Sequence, residues 1–168
     1  MTREELYQSI YTHDTIYLPP HEERSAALEV QLGCSWHKCT FCDFTKDKFT
    51  VHPIERIERN IQILSLLQPE NPRLFLLGEN AFCLSTDYLM KIIDLRDKYM
   101  SHATEIAMYS IIDDIARKSD DDLKLLKSRG LAALHIGMES GSDSILMERN
   151  KGITSQDIIR ELHRLDSV

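Results

Sequence analysis

The 168-residue sequence has no apolar run approaching the roughly 20 residues needed to cross a bilayer. Its opening stretch, MTREELYQSIYTHDTIY, carries acidic residues and lacks the apolar core of a secretory signal. A cytoplasmic protein is therefore expected. Surplus positive charge is also missing: 20 basic residues face 27 acidic ones, for a net charge of −7. That balance gives nucleic-acid binding no support. Internal repeats and low-complexity tracts are absent, which leaves no basis for a repeat array. Cysteines are few, four in all. Cys34, Cys39 and Cys42 lie within nine residues, and Cys83 stands alone. In a reducing compartment such clustering suggests metal binding or redox chemistry rather than disulfides. A redox pair of Cys39 and Cys42 would leave Cys34 without a role.

What remains is an ordinary globular balance, 42% hydrophobic and 28% charged, in a chain of one domain's length. Residues 1–24 read as an N-terminal extension, a short helical start and then a loop around Pro19, Pro20 and His21. From residue 25 onward strand and helix alternate. Ala27 to Leu32 is a strand candidate closed by Gly33, and the cysteine loop follows. Pro53 opens a helix, because its missing N–H costs nothing in the first turn. Ile54, Ile57, Ile61 and Leu64 share one face of it. Arg73 to Leu77 is an apolar run suited to a strand buried on both faces, ended by Gly78. Ser85 or Thr86 caps a helix that buries Leu89, Ile92 and Ile93. Glu105 to Ser110 is a third strand. Ser119 caps a helix whose first turn holds Asp120, Asp121 and Asp122, as the helix dipole favours, and Gly130 stops it. Leu131 to Met138 is a fourth strand. A short helix over Asp143 to Arg149 precedes a last one from Thr154, which buries Ile158, Leu162 and Leu165.

This alternation predicts an α/β fold of right-handed βαβ units with a parallel sheet. In such sheets function gathers at the C-terminal ends of the strands. The cysteine loop, Gly78-Glu79-Asn80, Ser110 and Glu139-Ser140 all fall there. Three thiolates this close can wrap three corners of a cubane cluster and leave the fourth iron open to a small molecule. A fully protein-ligated cluster wants four cysteines. The competing reading is a zinc site with His37 or Cys83 as fourth ligand. Cys83 also reads as a small buried hydrophobe, Trp36 as a cover against water, and His37 as solvated. Lys38, Lys46 and Lys48 read as solvated loop charges. Arg149 and Lys151 read as a solvated helix end, and Glu139 as a possible charge at the next helix N-terminus.

A strand followed by a cysteine triplet, with Phe41 just before the last Cys, resembles the radical S-adenosylmethionine (SAM) signature. The usual spacing is three and two residues. Here it is four and two, as in a subset of radical SAM proteins whose loop reads much like Gly33-Cys-Ser-Trp-His-Lys-Cys-Thr-Phe-Cys42. Leu77-Gly-Glu-Asn-Ala81 resembles the family's Gly-Gly-Glu motif, with Leu77 in place of the first Gly. His135-Ile-Gly-Met-Glu-Ser-Gly-Ser-Asp143, followed by Asn150-Lys-Gly152, is similar to the fourth-strand segment of members related to methylthiotransferases and cobalamin-dependent enzymes.

The resemblance implies a partial TIM-type (β/α) barrel of parallel strands. Residues 25–168 would be its first four β/α units, truncated before a fifth and sixth strand and so incomplete at the C-terminus. It implies a [4Fe-4S] cluster on Cys34, Cys39 and Cys42 that reductively cleaves SAM to a 5′-deoxyadenosyl radical. Phe41, Gly78, Glu79, Ser110, Glu139 and Ser140 would shape the SAM pocket, Glu79 taking the amino group and Glu139 with Ser140 the ribose or methionine part. Arg149 and Lys151 are secondary candidates for the SAM carboxylate. A substrate and a reducing electron donor, such as a flavodoxin or ferredoxin, are implied but not specified. The alternative function is a non-catalytic zinc-binding module, or a degenerate fragment that only binds a partner.

Overall fold

A computed structural model describes residues 2–42 and 47–168. Lys46, read above as a solvated charge, lies outside them. The chain begins with helix α1 (Arg3–Gln8), started by a capping box between Thr2 and Glu5. Strand β1 (Ala26–Glu29) follows, then β2 (Gln31–Leu32), β3 (Thr50–Val51), helix α2 (Ile54–Leu67), strand β4 (Arg73–Leu77) and helix α3 (Thr86–Tyr99). The second half holds β5 (Glu105–Ser110), α4 (Ile112–Ala116), α5 (Asp120–Ser128), β6 (Leu131–Ile136), α6 (Asp143–Glu148) and α7 (Ser155–Ser167).

Four strands form one parallel sheet in the order β1-β4-β5-β6. Each new strand is added beside the last, with helices between, which is the arrangement of a partial TIM-type barrel. The central strands are as apolar as their sequence requires: Leu74, Phe75 and Leu76 of β4 and Ile106 and Ala107 of β5 are fully buried. Ile57, Ile61 and Leu64 of α2, and Leu89, Ile92 and Ile93 of α3, supply the helical side of the core. Ser85 caps α3 by accepting from the Tyr88 amide, and Ser119 and Thr154 form capping boxes at α5 and α7. No helix is long and apolar enough to cross a membrane, among the described residues.

Three details differ from the sequence reading. The first strand is not continuous to Leu32. The Val30 amide still donates to Leu77 O, but the Val30 carbonyl accepts from His52 N. Gln31 and Leu32 then leave the main sheet and pair antiparallel with Val51 and Thr50. Two-residue strands carry no readable period, so β3 was not foreseen. Nor was α4, a helix of five residues. Finally, β6 ends at Ile136 rather than Met138: Gly137 N still donates to Ser110 O of β5, but Met138 N turns back to Ile136 O.

Residues 10–25 are anchored to the sheet through a few buried side chains. Ile10 and Tyr11 are buried, the Tyr11 hydroxyl donates to Ala27 O at 2.9 Å, and Asn60 Nδ2 donates to Ile10 O at 2.9 Å. Glu22, fully buried, accepts from Arg73 Nε and Nη2 at 2.8 and 2.6 Å and from Ser25 Oγ at 2.6 Å. It also pairs with His135 Nε2 at 2.8 Å, beside a ring cluster of His21, Phe75, Tyr109 and His135. The Arg73 guanidinium holds the Glu22 carboxyl down at about 2.

Candidate functional site

Gly33 ends β2 in the left-handed region, with φ 69°, and a Cβ there would lie 2.5 Å from Asp47 O. The chain thereby turns into the cysteine loop. Cys34, Cys39 and Cys42 are all partly buried on it, and none is in a disulfide. Burial pushes the Cys39 thiol up, Lys151 opposes that rise, and Cys34, Cys42 and Glu139 add to it. Lys151, Cys34, Cys42 and Glu139 are thus all close enough for their charges to be felt at Cys39. Three loop thiols with one cation beside them form a donor set that fits a thiolate-ligated cluster.

The loop is held from across the chain. Trp36 Nε1 donates to Asn150 O at 2.8 Å, Asn150 Nδ2 donates to Lys38 O at 2.8 Å, and Thr40 N donates to Arg149 O at 3.2 Å. Asn150 can do this because it adopts φ 53°, a conformation that Asn tolerates better than most residues. The Trp36 ring rests against Gly152, where any Cβ would stand 2.2 Å from ring carbons. His37, also at positive φ, is exposed, in keeping with a solvated side chain.

Lys151 corrects the sequence reading of a solvated helix end. The left-handed turn at Asn150 carries it beneath the cysteine loop, and only 8% of it is exposed. Its ammonium lies 3.4 Å from Glu139 Oε1 and 5.9 Å from the Phe41 ring centroid. Glu139 itself sits at φ 63°, a strained conformation for a residue other than glycine. It is no helix-capping charge, since α6 starts after Ser142 and has Asp143 in its first turn. Ser140 N donates to Met138 O, and Ser140 Oγ accepts from Ser142 N.

The end of β4 lies on the other side of the cysteine loop's first turn. Gly78 passes so close to Gln31 that a Cβ would meet Gln31 Cγ at 2.2 Å. Beside it, Glu79 Oε2 is buried and has no partner among the described residues. Burial pushes the Glu79 carboxyl up, and the charges of Asp47 and Glu29 push the same way. A buried carboxylate oxygen with no donor is costly, and an ammonium ligand would answer it. Ser110 is also at a strand end, but its hydroxyl donates to Ile111 O at 2.9 Å. Phe41 is exposed at the loop's outer rim.

Cys83 lies off the cysteine loop, in the turn after β4, but close enough to Cys34 for that charge to be felt. Its thiol donates to Gln31 Oε1 at 3.2 Å, and burial pushes it up to about 12. Among the described residues, His21, Glu22 and His135 also bring metal-type atoms within 4.8 Å of one another. Glu22 is already taken there by Arg73 and Ser25, so that group reads as a structural ion pair.

Sequence reasoning missed one residue of this region, Asp114. Asn80 and Asp114 are buried polar side chains joined at 3.0 Å behind the cysteine loop. Asn80 belongs to the Gly78-Glu79-Asn80 strand end read from the sequence, whereas an Asp in a five-residue helix carries no pattern that would single it out.

Residues 28–167 match the family described as the Radical SAM superfamily. The chain belongs to that superfamily, whose members use a [4Fe-4S] cluster and SAM. It is 22% identical over 134 residues to the heme chaperone HemW of Bacillus subtilis, covering 76% of this chain and 35% of that protein. It is 23% identical over 171 residues to the ribosomal protein uS12 methylthiotransferase RimO of Chlorobium luteolum, covering 95% of this chain and 36% of the relative. Among solved structures, the cobalamin-dependent SAM radical enzyme OxsB, with aqua-cobalamin and SAM bound, matches with a TM-score of 0.67. That match has 20% identity and covers 84% of this chain and 22% of OxsB. The chain thus spans little more than a third of the curated relatives named here.

Proposed function

We propose that this chain carries the cluster-binding and SAM-binding part of a radical SAM enzyme. The observation that carries this reading is the cysteine loop of Cys34, Cys39 and Cys42 with the Lys151 charge felt at Cys39, together with the buried, unpartnered Glu79 Oε2 at the end of β4. Cys34, Cys39 and Cys42 would hold three irons of a [4Fe-4S] cluster. Cys83 would not supply the fourth ligand, because its thiol is engaged by Gln31. When bound, the reduced cluster supplies one electron to the sulfonium of SAM, giving methionine and a 5′-deoxyadenosyl radical.

The chain's own residues do the rest. Glu79 accepts from the SAM ammonium and so gains the partner its buried oxygen lacks. Glu139 and Ser140, on the far side of the cysteine loop, reach the ribose hydroxyls or the methionine part of SAM. Lys151 offsets the negative charge of thiolates. Gly78 leaves the backbone open at the strand end, and Phe41 shields the outer rim. Ser110 shapes the floor of the site through its backbone position. Substrate and reductant are left to groups outside this constellation, a ferredoxin or flavodoxin being a suitable donor. Anaerobic reconstitution with iron and sulfide tests the reading. A brown, air-sensitive protein with one four-iron cluster per chain is expected. A colourless protein that instead holds one equivalent of zinc would overturn it.

A further inference from the structure

Asn80 follows Glu79 at the end of β4 and is fully buried. Its side-chain oxygen accepts from Ser35 N at 3.1 Å and from Gln31 Nε2 at 3.3 Å. Its side-chain nitrogen donates to Ser35 Oγ at 2.7 Å and to Asp114 Oδ2 at 3.0 Å. An amide offers two donors and two acceptor lone pairs, so Asn80 is saturated. Its partners belong to three separate pieces of chain: β2, the turn beside Cys34, and α4.

The arrangement is expensive for a purely structural contact. Asp114 is 1% exposed, and its Oδ1 has no partner among the described residues. Burial pushes that carboxyl up to about 6. Apolar side chains would fill the same space without that desolvation cost. What apolar residues cannot supply is direction. The Asn80 amide fixes the Ser35 backbone, hence the adjacent Cys34, relative to the adjacent Glu79.

Resting on the SAM reading above, we propose that Asn80 is a positioning residue that joins the first cysteine-bearing turn and the Gly78-Glu79 strand end into one rigid unit. A ligand whose amino end must meet both an iron beside Cys34 and the Glu79 carboxylate needs their separation set in advance. Asp114 anchors the unit from α4.

The test compares the full chain as wild type, Asn80→Ala, Asn80→Asp and the double variant Asn80→Asp/Asp114→Asn, each reconstituted anaerobically. Iron per chain is measured first. SAM affinity per loaded cluster is then read from the change in the reduced cluster's EPR spectrum. In the double variant acid and amide change places, so Ser35 N keeps its acceptor and residue 114 now donates to residue 80. Asn80→Ala should bind SAM about tenfold more weakly than wild type, the loss of roughly one charge-free hydrogen-bonded tether. Asn80→Asp, which sets two carboxylates against each other, should bind as weakly or worse. The exchange should recover wild-type affinity to within about threefold. Unchanged affinity in Asn80→Ala, or an exchange variant no better than Asn80→Asp, would overturn the proposal. If Asn80→Ala does not fold, the exchange variant decides. A wild type that loads no cluster overturns the functional reading and this inference with it. A wild type that loads and binds SAM, alongside variants that do so equally, overturns only this inference.

Discussion

The indole nitrogen of Trp36 donates to the carbonyl of Asn150 at 2.8 Å, across 114 residues of sequence. That bond makes the turn between α6 and α7 a back wall for the cysteine loop. The wall depends on Gly152, which has φ 72° and lies against the Trp36 ring. Gly152→Ala should therefore destabilise the chain by about 1–3 kcal/mol, from a strained conformation and a clash together. It should also lower iron retention. Denaturant unfolding and iron per chain measure the two effects. Unchanged values for both would show that the loop does not need this wall.

Among the cysteines the structure draws a line between three and one. Cys34→Ala, Cys39→Ala and Cys42→Ala should each prevent cluster loading, read as loss of broad visible absorption after reconstitution. Cys83→Ala should load like wild type, because the Cys83 thiol is committed to Gln31. Loss of the cluster in Cys83→Ala would assign it a ligand role.

Glu79 and Glu139 flank the cysteine loop from β4 and from the segment after β6. A hydrogen bond to a charged group is worth about 1.5–3 kcal/mol. Glu79→Gln and Glu139→Gln should each weaken SAM binding about ten- to a hundredfold, with iron content unchanged. SAM titration of the reduced cluster, followed by EPR, measures this. Wild-type affinity in both variants would place the pocket elsewhere.

Asp114 makes stability depend on pH in an unusual direction. Its folded value of about 6 lies above the 3.8 of an unstructured Asp, because burial disfavours the charged form. Its contribution is fully present below 3.8 and is lost as pH rises through about 6. Glu22 acts oppositely, losing its contribution only as pH falls from 4.5 towards about 2. Lowering the pH from about 7 to about 5 should therefore stabilise the wild type by about 1 kcal/mol, the part of the Asp114 titration that falls in that window. Asp114→Asn should lack that rise. Urea midpoints at both pH values test it, and equal slopes in the two proteins would refute it.

Among the described residues, strand β6 is an edge of the main sheet, paired with β5 on one side. Leu131, Ala133, Leu134 and Ile136 are each only partly covered, beside Leu165 and Val168 of the last helix and its end. A polypeptide of these 168 residues should self-associate through that edge, as open strands do. Ala132→Lys places a charge on the exposed edge and should shift the protein towards monomer in sedimentation or size-exclusion measurements. A wild type already monomeric at high concentration would contradict this.

The sequence by itself determined the order of the four main-sheet strands and the longer helices, the parallel sheet and the cysteine loop. These depend on local signals: apolar runs such as Leu74-Phe-Leu-Leu77, caps at Ser85, Ser119 and Thr154, and three cysteines on one short loop. It also pointed to Glu79 and Glu139 through motifs beside strand ends. Only the tertiary structure decided which charges are buried. Lys151 reads as solvent-exposed until the left-handed turn at Asn150 places it under a loop more than a hundred residues earlier. Asn80 and Asp114 become a pair only when β4 and α4 are packed against the turn at Ser35. Burial and hydrogen-bond partnership arise between distant segments, and no spacing along the chain records them.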